Sequence, residues 1–213
     1  MKTDELIALL VSRAGAVEPN AVARRYSTAL GWGAFGATLL MAVGFGVRPD
    51  VHEAARLPMF WIKLAFPAVL AVGGLLAAVR LSRPGMRLGQ VWGALVAPVL
   101  AMWSAGAFVL LGAPPSAREA LIFDGTWAAC PLSIALLSVP AFAAILWAMK
   151  GLAPTRPALA GAAAGLLAGA IGALACALHC TEMSPPFLGV WFLAGMLIPA
   201  GVGALLGPHL LRW

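Results

Sequence analysis

Charged residues are scarce in this chain of 213 residues: they make up 10% of it, whereas 62% of the residues are hydrophobic. Soluble domains contain about 25% charged and about 45–50% apolar residues. Because so few charges cannot cover a water-exposed surface, the composition excludes a soluble enzyme, a disordered regulator and a secreted domain held by disulfides. The sequence instead predicts an integral membrane protein.

Acidic residues are missing from six long apolar segments. Each segment has about 20 residues, enough for a helix to cross a hydrocarbon core of about 30 Å. Helices satisfy their own backbone polar groups in lipid, and the segments lack the alternation of membrane β-strands. We therefore predict an all-α fold, a polytopic bundle of six transmembrane helices with short loops. The predicted spans are residues 27–47, 57–79, 89–112, 126–149, 157–178 and 186–207.

The fifth predicted span carries glycine at every fourth position, at Gly161, Gly165 and Gly169. These residues form two overlapping GxxxG steps, and small residues at this spacing let helix backbones approach closely in membranes. We therefore expect this helix to lie at the centre of the bundle.

Lysine and arginine are divided unevenly between the two sides of the predicted bundle. Ten of the 14 lie in the N-terminal segment, the loops at 80–87 and 150–156 and the C-terminus; three lie in the opposite loops and Lys63 lies within a span. Positive charge is enriched in cytoplasmic loops, so we predict that both termini are cytoplasmic. The same rule accounts for the formal net charge of +6, and no direct contact with nucleic acid is expected.

Lys63 is the one charged residue inside a predicted span. Three interpretations are open. The favoured one is a lysine whose ammonium snorkels to the outer interface. The second is a structural partner for a loop acid such as Asp124 or Glu182, and the third is a substrate site.

Cysteine occurs only three times, and the predicted topology puts all three thiols at the outer membrane face. Cys130 opens the fourth span, Cys180 follows the fifth span directly after His179, and Cys176 lies one helical turn earlier. A Cys130–Cys180 disulfide is one interpretation if spans four and five are neighbours. Thiolates that bind a soft metal ion, with Cys176 or His179 beside them, are another. Simple packing of small apolar side chains is the third.

Catalytic motifs are absent: the sequence has no HExxH, GxSxG, Walker lysine loop or CxxC. A small transporter or channel is one alternative function, but acids that commonly line transport pathways are missing from the spans. A membrane thiol oxidoreductase using a quinone is another, but it lacks a second cysteine pair to pass electrons onward. No cofactor is expected beyond transient binding of a soft metal.

The chain divides into an N-terminal segment, residues 1–25, and a six-helix membrane domain, residues 26–213. Thr3 followed by two acids is typical of a helix start, and apolar residues then recur at helical spacing. Such an amphipathic helix lies on the membrane or docks in the groove of a cytosolic partner. The candidate contact residues are Asp4, Leu6, Ile7, Leu10, Arg24 and Arg25.

Several stretches in a fixed order resemble one family along essentially the whole chain. They are MKTDELI at 1–7, the arginine pair at 24–25, FWIKL at 60–64, residues 127–130 and 134–140, LAPTRP at 152–157, His179-Cys180, residues 185–191 and GPHLLRW at 207–213. The chain thereby resembles the NrsF (negative regulator of sigma F) family of six-span anti-sigma factors in the bacterial inner membrane.

The resemblance implies a regulator of transcription in stress responses rather than an enzyme. Its partners would be the lipid bilayer and an extracytoplasmic-function sigma factor, held away from RNA polymerase by the cytoplasmic segment that corresponds to residues 1–25. It also implies heavy-metal or redox sensing by two outward-facing cysteines, which by position are Cys130 and Cys180. In this hypothesis a metal or oxidant reacting at the two thiols releases the sigma factor, and Cys176 is an additional thiol.

Overall fold

A computed structural model describes residues 3–13, 20–83, 85–86, 88–123, 125–152 and 154–212. Throughout these ranges the regular secondary structure is helical, which confirms the predicted all-α class. Proline occupies the first position of four of the helices, where its missing N–H leaves no hydrogen bond unmade. The helices are α1 (Thr3–Arg13), α2 (Ala21–Gly44), α3 (Val51–Ala54), α4 (Pro58–Leu81), α5 (Val91–Gly112), α6 (Pro115–Ile122), α7 (Ala129–Lys150), α8 (Pro157–Ala177), α9 (Pro185–Phe187) and α10 (Leu193–Leu210).

Within the described ranges, six helical spans are long and apolar enough to cross a membrane, as the charge pattern predicts. They are α2, α4, α5, α7, α8 and a composite last span. That last span joins α9 to α10 through a five-residue π-helical segment, Leu188–Phe192. The first span begins at Ala21 rather than at residue 27, so Arg24 and Arg25 lie in its first two turns.

The glycine-rich helix α8 lies at the centre of the bundle, as predicted, and most of it is buried. It packs against α10, α7, α4 and α2, while α5 lies at the periphery against α4 and α9. Gly161, Gly165 and Gly169 face α10 so closely that a Cβ on any of them would overlap its backbone. On another side of α8, a Cβ on Gly172 would lie 2.6 Å from the carbonyl oxygen of Ile134 in α7. Small residues therefore set the distances from α8 to its neighbours.

The loops between the spans form two opposite faces of the bundle. The loops at 45–57, 113–128 and 178–184, with α3 and α6, make the face that carries the cysteines, called here the thiol face. The start of α2, the described residues of the loops at 82–90 and 151–156 and the end of α10 make the other, called here the terminal face, and α1 precedes it in the chain.

The contact of α8 with α10 can be tested by adding one methyl group. Gly165→Ala places a Cβ against the carbonyl oxygen of Pro199, where two backbones are already in contact. We expect it to destabilise the bundle by about 1–3 kcal/mol, the usual effect of overpacking. Gly201→Ala is the matched control, because nothing lies within 4 Å of the Cβ it adds to α10. Thermal unfolding in detergent, followed by circular dichroism, measures both; an unchanged melting temperature in Gly165→Ala would contradict the packing described here.

Candidate thiol site

The three cysteines converge at the thiol face. Cys130 is the second residue of α7, Cys176 lies in the last turn of α8, and Cys180 lies in the loop at 178–184, called here the thiol loop. The Cys130 thiol interacts with the side chains of both Cys176 and Cys180. All three are buried free thiols. Spans four and five are neighbours, which is the condition on which the predicted Cys130–Cys180 pairing depended.

A cavity of about 310 Å³ opens beside the thiols. It is lined by Thr126, Ala129, Cys130, Ser133, Cys176, His179, Cys180 and Thr181. Sulfur atoms at its wall can bind a soft metal ion that enters it, or react with a small oxidant. Among the described residues, no group of three or more Cys, His, Asp or Glu side chains is arranged to hold a metal ion. The structure therefore offers two thiol ligands, Cys130 and one of its two neighbours, Cys176 or Cys180.

His179 lines the same cavity but is held from the other side. Its Nδ1 lies 2.9 Å from the carbonyl oxygen of Gly46, and its ring packs on Phe45 at 5.4 Å between centroids. Because a carbonyl oxygen only accepts hydrogen bonds, Nδ1 carries the proton and Nε2 keeps its lone pair in the neutral ring. The residue thus connects the thiol loop to the loop that follows α2.

The thiol loop has no regular secondary structure, so its backbone carbonyls need donors from elsewhere. Arg48 supplies two of them: its backbone N–H donates to Leu178 O at 3.2 Å, and Nη1 donates to Cys180 O at 3.4 Å. The Asp50 carboxylate fixes the rest of the guanidinium, accepting from Nε and Nη2 at 2.7 and 2.6 Å. These hydrogen bonds to Arg48 keep the pKa of Asp50 below its usual value.

Lys63 supplies the other donors, from inside the bundle. Its ammonium donates to Cys180 O at 2.6 Å and to Glu182 O at 2.7 Å, and lies 5.4 Å above the ring of Phe192. The residue is 0% exposed, so the predicted snorkelling to the interface is wrong. The second interpretation is right in kind, because Lys63 is a structural partner of the loop. It binds the backbone carbonyl of Glu182, however, and Asp124 lies outside the described residues.

The Cys180 thiol lies beside two groups that stabilise its ionised form. The S–H group of Cys130 donates to its sulfur, and the Lys63 ammonium adds an attractive charge and a second contact. Burial alone would raise the pKa of Cys180. These interactions lower it by more, so the pKa of Cys180 is below the ordinary thiol value. The lowered pKa and the nearby Lys63 ammonium favour Cys180 as the nucleophilic member of the pair.

Sequence reasoning identified the three cysteines and His179 but did not connect Arg48, Gly46 or Lys63 with them. Lys63 carried a usable signal, because an ionisable residue within a membrane span favours a functional site. Arg48 and Gly46 carried none, since their part in the site depends on how two loops distant in sequence pack together.

Two of the predicted partner-contact residues, Arg24 and Arg25, lie at the start of α2, on the terminal face. Asp4 and Ile7 in α1 are exposed, and the side chains of Leu6 and Leu10 lie outside the described residues. Arg24 is also exposed. Arg25 is half-buried, because its guanidinium packs directly on Gly151 in the turn between α7 and α8.

The hydrogen bond from Cys130 to Cys180 predicts a pH-dependent reactivity. A lowered pKa leaves more thiolate at a given pH. The rate of Cys180 alkylation by iodoacetamide should therefore reach half of its maximum at a lower pH than the rate for an ordinary thiol. Cys130→Ala removes the donor, and we expect alkylation at pH 7 to be about tenfold slower, since a hydrogen bond to a charged group is worth about 1.5–3 kcal/mol.

The rates are measured by quenching at intervals and quantifying the modified Cys180 peptide by mass spectrometry. Cys130→Ser is the control, because its hydroxyl keeps a donor at the same position and should preserve most of the rate. A profile that is the same in Cys130→Ala and the original protein would show that Cys130 does not stabilise the thiolate.

Sequence similarity places the chain in a known family. Residues 10–213 match the family described as NrsF, negative regulator of sigma F. The chain is similar to a probable anti-sigma-F factor of Azospira oryzae, with 57% identity over 213 residues, and to an anti-sigma-F factor of Caulobacter vibrioides, with 39% identity over 216 residues. Both similarities cover 100% of each chain, and no solved structure matches. The chain therefore belongs to the NrsF family, the negative regulators of sigma F.

Proposed function

We propose that this protein is an anti-sigma factor of the bacterial inner membrane, which binds an extracytoplasmic-function sigma factor and releases it when a soft metal ion or an oxidant reacts at Cys130 and Cys180. The observation that carries the proposal is the 57% identity, over the full length of both chains, to a probable anti-sigma-F factor. The six spans supply the membrane anchor. In this role the protein acts by holding the sigma factor away from RNA polymerase, and it neither catalyses a reaction nor contacts nucleic acid.

The exposed surface of α1 supports a contact in the N-terminal segment. All of its described side chains are exposed, and Ile7 and Val11 are 52% and 69% accessible. Asp4, Ile7 and Val11 are spaced by three and four residues and therefore share one face of the helix. An apolar helix face with an acid at its start suits the groove of a protein partner. With both termini in the cytoplasm, this face is on the side where a sigma factor is found.

The thiol pair supports a signal on the opposite face. A soft divalent ion would form two S–metal bonds with Cys130 and Cys180, and the two thiol protons would pass to water. Hydrogen peroxide, as the oxidant, would take two electrons and two protons from the same pair, leaving a disulfide and two waters. Either reaction joins the first turn of α7 to the thiol loop after α8 by new bonds. In this proposal the new bonds between α7 and the thiol loop favour a second conformation of the bundle, which binds the sigma factor weakly and releases it.

A pull-down tests the location of the partner contact. The full chain and a chain lacking residues 1–20 are purified from their own membranes in mild detergent, and bound proteins are identified by mass spectrometry. The truncation stops at residue 20 because α2 begins at Ala21, so the first span stays complete. We expect a sigma factor with the full chain only, and weaker binding by about tenfold or more in the substitution Ile7→Asp, which places a charge on the apolar face.

Ser12→Asp is the matched control, since Ser12 is exposed on the same helix and is not three or four residues from Asp4, Ile7 or Val11. A sigma factor retained by the truncated chain would move the contact to the loops of the terminal face. No sigma factor with the full chain would refute the proposed function.

The sensing step is tested with a double substitution. Cys130→Ser with Cys180→Ser should bind the sigma factor as the original protein does but should no longer release it on addition of Hg²⁺ or diamide. Release is measured from the immobilised complex. Cys176→Ser is the control and should respond as the original protein does, because the pair remains intact. Normal release from the double variant would separate the anti-sigma function from these two thiols.

A further inference from the structure

Lys63 has a place in the structure that the proposed function does not use. It lies five residues into α4, about 8 Å along the helix from its first residue. Its ammonium nevertheless reaches the thiol loop, donating to Cys180 O at 2.6 Å and Glu182 O at 2.7 Å. It also contacts the side chain of Cys180. An ammonium has three N–H donors, and the two backbone oxygens that accept from this one both lie on the loop that carries Cys180.

The burial of this cation is unfavourable by itself. Removing an ammonium from water has a large free-energy penalty, which is offset only when its donors are satisfied. An apolar side chain of similar size would fill the same space without that penalty. Lys63 therefore makes the position of α4 depend on the geometry of Cys180 and Glu182, because a shift of either group leaves a buried charge incompletely bonded.

The other end of α4 is bonded to the start of the first span. Ser82, directly after α4, donates from its hydroxyl to Ala78 O at 2.8 Å. Its oxygen lies 2.8 Å from the Tyr26 hydroxyl, so Tyr26 is the donor of that hydrogen bond. Tyr26 is buried and lies in the second turn of α2, the helix that follows the N-terminal segment. Lys63 and Ser82 are 19 residues apart in sequence, about 28 Å along a helix.

We propose that Lys63 is a positioning residue that couples the thiol pair to the terminal face, through α4 and the hydrogen bond between Ser82 and Tyr26. The proposal rests on the proposed function in taking Cys130 and Cys180 as the reactive pair. When Hg²⁺ displaces both thiol protons, the Cys180 sulfur turns from the Lys63 ammonium to the metal. The loop carbonyls move with it, α4 follows the ammonium, and the contact of Ser82 with Tyr26 at the far end changes.

The sequence offers a direct probe of that far end, because Tyr26 is the only tyrosine in the chain. Protein labelled with 3-fluorotyrosine therefore gives one ¹⁹F resonance, which reports Tyr26 without any sigma factor present. All samples carry Cys176→Ser, so that Cys130 and Cys180 are the only thiols. Hg²⁺ is added to one equivalent, and its binding is confirmed by the loss of titratable thiols.

We expect Hg²⁺ to shift the Tyr26 resonance in the Lys63 protein. In Lys63→Met the two thiols should still bind one Hg²⁺, but the shift of the Tyr26 resonance should be lost, because the connection between the two sites is removed. Lys63→Arg keeps a cation and its donors and should restore the response. A merely structural lysine would alter the melting temperature without separating Hg²⁺ binding from the Tyr26 response. Ile62→Met, on the exposed side of α4, is the control for substitution in this helix.

A second variant keeps the test decisive if Lys63→Met does not fold. Ser82→Ala removes the oxygen that binds Tyr26 and leaves the thiol loop unchanged, so Hg²⁺ should bind while the ¹⁹F shift is lost. An equal shift in Lys63→Met and the Lys63 protein would overturn the proposal, as would an unmoved Tyr26 resonance in the Lys63 protein with Hg²⁺ bound. A normal ¹⁹F response in a protein that binds no sigma factor would instead refute the proposed function and leave the coupling intact.

Discussion

The buried ammonium of Lys63 and the carbonyls of the thiol loop each need the other. The loop lacks regular secondary structure and has carbonyl groups without helical partners, while α4 holds a cation that has no access to solvent. Their hydrogen bonds satisfy both groups at once. As a result the loop is held against α4 by its Cys180 and Glu182 carbonyls. Cys180 is thereby brought against Cys130, and the thiol site exists because of this contact.

The close packing around α8 supplies the second condition for the site. Gly172 allows α8 to approach α7 at the level of Ile134, one turn below Cys130. Glycines on another face bring α10 equally close. The helices are thus held at distances that a single methyl group would change, and the thiols of α7 and α8 meet as a consequence. Dense packing of this kind transmits a local displacement rather than absorbing it.

The two faces of the bundle have different physical characters that suit a transmembrane regulator. The thiol face is tied together by charged and polar contacts from Arg48, Lys63 and His179. The terminal face carries the start of the first span, which the exposed helix α1 precedes in the chain. Communication between them requires an element that touches both, and α4 meets the thiol loop at one end and Tyr26 at the other.

The sequence by itself determined the membrane class, the six helices and the central place of α8, because charge gaps, span length and glycine spacing are local properties of the chain. It also marked the cysteines as one cluster, since topology alone assigns them to one face. Only the tertiary structure decided that Cys130 contacts both other thiols, and that Lys63 turns inward to the thiol loop rather than outward to the interface. Those outcomes depend on contacts between residues more than 40 positions apart, and no local pattern encodes the balance between burying a cation and satisfying distant carbonyls.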